Sequence, residues 1–244
     1  MSPETGLAAV SNEPTWDYND LILFVFLAVL SIGVAQLLTH LAIGWLHVGK
    51  ADRQLTLLPS QVLLYCLLFA ALYAILKLQY GHPFLRSLAW VDFPFSAMTA
   101  VMFGVVLAVL NVLASQLLHT PEVDTPVKHL LERRVTAIEF GLIGSTLGPL
   151  CEELVFRGFM QPVFVRSLGP VMGILVTAVC FGSLHLAQNG FAWQSGVLIA
   201  LAGIAFGWMR QVSGSTRAST LMHSAYNLTI FLPVFFQPGN IANK

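Results

Sequence analysis

Apolar and polar positions in this chain alternate on the scale of a bilayer, not of a single helix face. Crossing a hydrocarbon core takes about 20 consecutive apolar residues, and runs of that size at 21–45, 57–76 and 93–118 predict three membrane-spanning helices. Lys50, Asp52 and Arg53 separate the first from the second, and the polar stretch 79–92, with Gly81, His82, Pro83 and Arg86, separates the second from the third. A fourth span starts near Val135. Residues 167–209 contain no Asp, Glu, Lys or Arg, which is too long for one span and predicts two, at 170–186 and 196–209, around a turn at Gln188, Asn189 and Gly190. A Ser- and Gly-rich turn over 210–217 leads to a last span at 218–236, ended by Pro238 and Gly239. The expected fold is all-α, a polytopic transmembrane helix bundle of about seven to eight spans. The eighth arises if the region 135–168 is broken in two.

The connections and breaks carry their own expectations. Residues 120–134 form the most polar internal stretch, and Leu130, Leu131 and Val135 give it a weak apolar stripe, which reads as a loop entering a short interfacial helix. Gly141, Gly144 and Gly148 fall nearly on one helix face, and Gly203 with Gly207 forms a second small-residue pair, so both are expected where helices pack closely. Pro149 removes a backbone donor and either kinks its helix just before Glu152, aiming the carboxylates inward, or is only a tolerated irregularity. Residues 1–20, with Glu4, Glu13, Asp17 and Asp20, read as a flexible acidic tail in which Trp16 and Tyr18 suit an interfacial anchor. The rest, 21–237, reads as a single membrane domain.

Composition sharpens the class. Hydrophobic residues make up 56% and charged residues 10% of the chain, against roughly 25% charged in soluble domains. The formal net charge is zero, so the lipid bilayer is the implied partner and nucleic acid is not. Cys66, Cys151 and Cys180 sit in apolar runs with neither disulfide nor metal spacing and read as small buried apolar residues. The first basic residue is Lys50, so the positively charged start of a cleavable signal is not expected.

Against that background the segment Cys151-Glu152-Glu153-Leu154-Val155-Phe156-Arg157-Gly158 stands out. Ionisable groups inside hydrocarbon cost several kcal/mol unless paired, and so mark candidate functional sites. Adjacent residues on a helix point about 100° apart. Glu153 and Arg157, at i,i+4, can pair on one face, which leaves Glu152 directed elsewhere. His185, His223 and Asn227 are further polar residues in apolar spans, the last two at i,i+4 on one face. With a turn at Gly169, Glu152 lies 17 residues before it and His185 lies 16 after it, about 25 Å away in both cases. His223 lies nine residues past Gly214, only about 13 Å from its turn, a mismatch that shrinks if 159–168 runs partly along the interface. These groups suit acid–base chemistry. They also suit a proton or ion pathway, though no inverted repeat supports a transporter.

Three motifs in order resemble the CAAX-protease and bacteriocin-processing family of intramembrane endopeptidases, whose members include the type II CAAX prenyl proteases. Glu152, Glu153 and Arg157, with Phe156 and Gly158 around the Arg, match its Glu-Glu-x-x-x-Arg. Phe181 and His185 match Phe-x-x-x-His, and His223 and Asn227 match His-x-x-x-Asn. The resemblance covers about residues 135–230, the motif-bearing core, and the first three spans are compatible with it. It implies a peptidase acting on a peptide or membrane-anchored protein substrate, prenylated or not, in a multi-pass protein of a prokaryotic cell membrane. The resemblance assigns Glu152 and His185 to water activation, His223 and Asn227 to the oxyanion, and Glu153 with Arg157 to orienting Glu152. No cofactor is expected, which makes this a glutamate-based hydrolase. The alternative is zinc held by Glu152, His185 and His223, and a non-catalytic transporter, scaffold or immunity protein is the remaining one.

Overall fold

The fold was obtained as a computed structural model, which describes residues 14–46 and 57–236. All its regular elements among those residues are helical. The expected tail falls outside the described residues over 1–13, as do Lys50, Asp52 and Arg53 and the expected stop at Pro238 and Gly239.

Helix α1 spans Tyr18–Trp45, and α2 spans Leu57–Tyr73 and continues through a π-helical stretch, Ala74–Gln79. The short α3, Phe84–Ser87, lies in the second connection, before α4 at Ala97–Leu117. The polar stretch at 120–134 contains α5, Pro126–Glu132, with the Thr125 hydroxyl accepting from the Lys128 backbone N–H as a cap. Next come α6, Arg134–Ser145, and α7, Leu147–Glu153, which continues into a second π-helical stretch, Leu154–Met160. The remaining helices are α8, Gln161–Leu184, then α9, Trp193–Ser213, and α10, Thr216–Phe236.

Five stretches are long and apolar enough to cross a membrane: Tyr18–Trp45, Leu57–Gln79, Ala97–Leu117, Arg134–Leu184 and Trp193–Ser213. The fourth counts once at 51 residues, although it is not one rod. Gly169 has φ 79° and ψ 167°, outside helical values. An unbroken helix would also hold Glu152 and His185 about 50 Å apart, whereas their side chains lie 3.9 Å apart. The chain therefore reverses at Gly169, between Glu152 and His185. Helix α10 is absent from the five because its sequence is too polar. Thr216, Ser219, Thr220 and His223 are nevertheless buried, since α10 packs against α4, α6, α7 and α9 in the interior of the bundle. The α4–α10 crossing is close enough to demand glycine: a Cβ at Gly104 would stand 2.2 Å from the Met222 carbonyl oxygen.

The break before the acidic segment falls at Thr146 (φ −125°, ψ −77°), three residues earlier than a kink at Pro149 would place it. Pro149 is the third residue of α7. A first-turn residue has no intrahelical N–H bond to lose, while its ring excludes the carbonyl of a preceding turn. The proline therefore begins a new helix instead of bending an old one.

Residues 14–17 pack onto the bundle, so this part of the expected tail is tied down. Trp16 is buried, stacks on Phe159 at 5.6 Å and donates its indole N–H to the Phe159 carbonyl at 2.8 Å. The Arg166 guanidinium reaches the Pro14 and Trp16 carbonyls, and the Tyr18 hydroxyl pairs with Ser167. Asp17 and Asp20 form a capping box at the start of α1. Asp20 also accepts from Gln79 at 3.0 Å and from the Tyr80 hydroxyl at 2.6 Å, which ties α1 to the end of α2. The Asp20 hydrogen bond, with burial, pushes the Tyr80 phenol up to about 12.

Candidate active site

The tandem glutamates sit at the junction of α7 with its π-helical continuation, and they separate as their helical angle requires. Glu153 is fully buried, with Oε1 3.0 Å from Arg157 Nη1, and Arg157 is fully buried as well. The guanidinium lies over the Phe181 ring at 4.6 Å and donates from Nη2 to the Gly203 carbonyl at 2.9 Å. One turn on, Gln161 donates to the Gly207 carbonyl at 3.0 Å. Gly203 and Gly207, expected at a close helix contact, are at one. A Cβ on Gly203 would meet Phe181 and Ala178 at 3.2–3.3 Å, and one on Gly207 would meet Gln161 at 2.9 Å.

Glu152 turns the other way, into a cavity of about 690 Å³ lined by α2 and by α4 to α10. Its Oε2 lies 3.9 Å from His185 Nε2 and 3.9 Å from His223 Nε2, and its Oε1 accepts from the Tyr65 hydroxyl at 3.2 Å. The second ring nitrogen of each histidine is committed. His185 Nδ1 is 2.8 Å from the Phe181 carbonyl. A carbonyl can only accept, so Nδ1 carries the proton and a neutral His185 presents a bare Nε2 to Glu152. His223 Nδ1 stands 3.0 Å from Glu153 Oε1, so the buried carboxylate fixes that ring too. Phe206 stacks on His223 at 4.3 Å and Phe181 packs against His185 at 4.6 Å. The Glu153–Arg157 pair thus acts on the open site through His223 and through the rings around it.

All six residues marked in the sequence come together, in two layers. Glu152, His185, His223 and Asn227 line the cavity, with Glu153 and Arg157 sealed behind them. Asn227 donates one amide N–H to the Gly144 carbonyl at 2.7 Å, so one of its two amide protons is used in holding α10 to α6. His223 reaches the level of Glu152 despite the counting mismatch. The reason lies at Leu88, whose carbonyl accepts from Thr216 Oγ1 at 2.5 Å and would meet a Cβ on Gly158 at 3.1 Å. Thr216 is therefore level with Gly158. Glu152 and His223 are six and seven residues from that level, about 9 and 10 Å, and the turn at Gly169 is not level with the turn at Gly214.

Sequence reasoning missed Tyr65, Asn111 and Tyr226, which also line the cavity. Tyr65 and Asn111 are uncharged polar residues in apolar runs, with Gln61 four positions before the one and Ser115 four after the other, a weaker signal than a charge or a histidine. Tyr226 lies within His223-Ser224-Ala225-Tyr226-Asn227, beside residues that were marked.

Glu152, His185 and His223 have the donor chemistry of a zinc site, and their spacing fits it poorly. A tetrahedral ion with bonds of about 2.0–2.2 Å draws its ligand atoms to about 3.4 Å from one another, less than the two separations of 3.9 Å. Among the described residues, no group of three or more His, Cys, Asp or Glu stands close enough to hold a metal ion.

Comparison with known proteins bears on the same part of the chain. Residues 134–229 match a family described as type II CAAX prenyl endopeptidase Rce1-like. No curated protein and no solved structure matches the chain. The five apolar helices and that match together make this an integral membrane protein.

Proposed function

From the place of residues 134–229 in the Rce1-like family of type II CAAX prenyl endopeptidases, we propose that the protein hydrolyses peptide bonds within the membrane with water activated by Glu152. The observation that carries this reading is the convergence of two imidazole Nε2 atoms on one carboxylate oxygen, each at 3.9 Å, at the wall of a cavity large enough for a peptide segment. That separation is too wide for a direct hydrogen bond and is a distance one water can bridge.

In this scheme a water donates one proton to Glu152 Oε2 and the other to His185 Nε2, which turns its lone pair on the peptide carbonyl. Attack forms the C–O bond as Glu152 takes the proton. The resulting oxyanion is met by His223, donating from Nε2 in its protonated form, and by the remaining amide N–H of Asn227. Collapse breaks the C–N bond, the proton held on Glu152 passes to the leaving amine, and the second product leaves as a carboxylate once its remaining hydroxyl proton passes to His185 Nε2 and from there to solvent. Glu153 and Arg157 position the site by holding the His223 ring. The substrate is a peptide or membrane-anchored protein with a CAAX-type end, and the apolar wall at Phe140, Ile143, Ile230 and Phe231 suits a prenyl chain.

Zinc at Glu152, His185 and His223 is the second reading. It is favoured because both histidines give Nδ1 to a carbonyl or carboxylate, as metal-ligating histidines do. It is disfavoured by the 3.9 Å spacing.

The test is mass spectrometry of a farnesylated peptide ending in Cys-Val-Ile-Met after incubation with the purified protein in detergent. Two fragments whose masses sum to the peptide plus water are expected. An intact peptide, with protons crossing liposomes that contain the protein, would move the site to the ion-pathway reading.

A further inference from the structure

The cavity that Glu152 enters also contains a hydrogen-bond arrangement whose direction can be worked out. Asn111, on α4 and outside the family segment, places Nδ2 3.2 Å from the Leu198 carbonyl and 2.5 Å from the Tyr226 hydroxyl. The Leu198 carbonyl can only accept, so the amide of Asn111 must present its nitrogen there, and that nitrogen carries two protons. One goes to Leu198 and the other points at Tyr226. The Tyr226 oxygen therefore accepts, and its own proton has to be given elsewhere. Among the described residues no acceptor for it is found. The ring has little freedom, being 8% exposed and edge-on to Phe206 at 5.5 Å. Both Tyr226 and Asn111 line the cavity that contains Glu152, His185 and His223.

We infer that Tyr226 is a substrate-binding residue whose hydroxyl, turned by Asn111, donates a hydrogen bond to a backbone carbonyl of the bound peptide. This rests on the peptidase reading above. A buried hydroxyl left without an acceptor is costly, so the arrangement favours an occupant that brings an acceptor oxygen, and the unbranched backbone of an extended peptide brings one at every residue. Tyr226 follows His223 by three positions on α10, and their ring centroids lie 6.5 Å apart, which puts Tyr226 near the reacting bond and not at the far end of the groove.

The test is equilibrium binding of the fluorescently labelled farnesylated peptide to full-length protein in detergent, in the Glu152→Gln background so that the peptide stays intact. Adding Tyr226→Phe, which removes only the oxygen, should weaken binding about threefold to tenfold, the worth of one neutral hydrogen bond. Asn111→Asp is the second variant. Its carboxylate accepts the Tyr226 proton, so binding should fall comparably with the phenol still present. Peptides carrying a thioamide, a weaker acceptor, at successive bonds should show one position whose penalty disappears in Tyr226→Phe. Unchanged affinity in both variants, thioamide penalties that persist in Tyr226→Phe, or a difference abolished by a C-terminal carboxamide alone would each overturn the inference. If the peptide binds with this dependence but wild type never cleaves it, the hydrolytic reading fails and the binding role stands. If no peptide binds at all, both fall.

Discussion

Glu152 and Glu153 share one turn of helix, yet their surroundings have almost nothing in common. Glu153 is fully buried, 3.0 Å from Arg157 Nη1 and 3.0 Å from His223 Nδ1. Glu152 is about one-fifth exposed and bonds directly to Tyr65, while two histidine nitrogens face it at 3.9 Å. The difference shows how one sequence motif serves two purposes. A carboxylate with charge partners at hydrogen-bond distance has its proton affinity and position fixed, which suits support. A carboxylate whose nearest bases stand one water away can exchange protons, which suits chemistry. His223 touches both, at Nδ1 and at Nε2, and it is the physical link through which the sealed pair orients the open site.

The largest effect that would sharpen this division is on turnover at Glu152. The Glu152→Gln variant keeps the shape and loses the base, so peptide cleavage should fall by about 10²–10⁴ with the melting temperature in detergent unchanged. A variant retaining a tenth of wild-type turnover would break the comparison on the Glu152 side. Next come Glu153→Gln and Arg157→Ala, each of which strands a buried charge. Both should lose about 3–5 kcal/mol of stability and activity with it, and melts matching wild type would break the comparison on the other side. The smallest effect is at Tyr65→Phe. Removing a hydrogen bond to a carboxylate costs about 1.5–3 kcal/mol, here expected as roughly a tenfold to hundredfold loss in kcat/KM with the fold retained. A loss of stability in place of activity would make Tyr65 a packing residue.

Much of the site was legible because charges and histidines are conspicuous in apolar spans. The i,i+4 spacing alone paired Glu153 with Arg157, and counting from Gly169 put Glu152 level with His185. Counting failed for His223 because it treated the turns at Gly169 and Gly214 as level, and only the Leu88 bridge between Thr216 and Gly158 shows that they are not. A kink is read at Pro149 because proline is the visible signal, whereas the backbone change it forces falls at Thr146. Trp16 was read as an interfacial anchor because its partner, Phe159, is 143 residues away in sequence. Tyr65 and Asn111 were invisible for the same reason, since their meaning comes from Glu152 and Tyr226 on other helices. Helix α10 reads as a span, but its buried threonines and serines make it the least apolar of the long helices, suited to neighbours on several sides.

The central claim is that water, activated by Glu152, attacks the peptide directly. Cys151, Ser183 and Ser224 neighbour Glu152 and the histidines in sequence, and Ser115 and Ser195 line the cavity; these are the groups that could attack in its place. The most direct measurement is the mass of the cleavage product from a single turnover in heavy-oxygen water with hydroxylamine present. A product carrying one heavy oxygen in its new carboxylate, with no hydroxamate, is predicted. A hydroxamate would reveal an acyl-enzyme on a serine or cysteine and contradict direct attack.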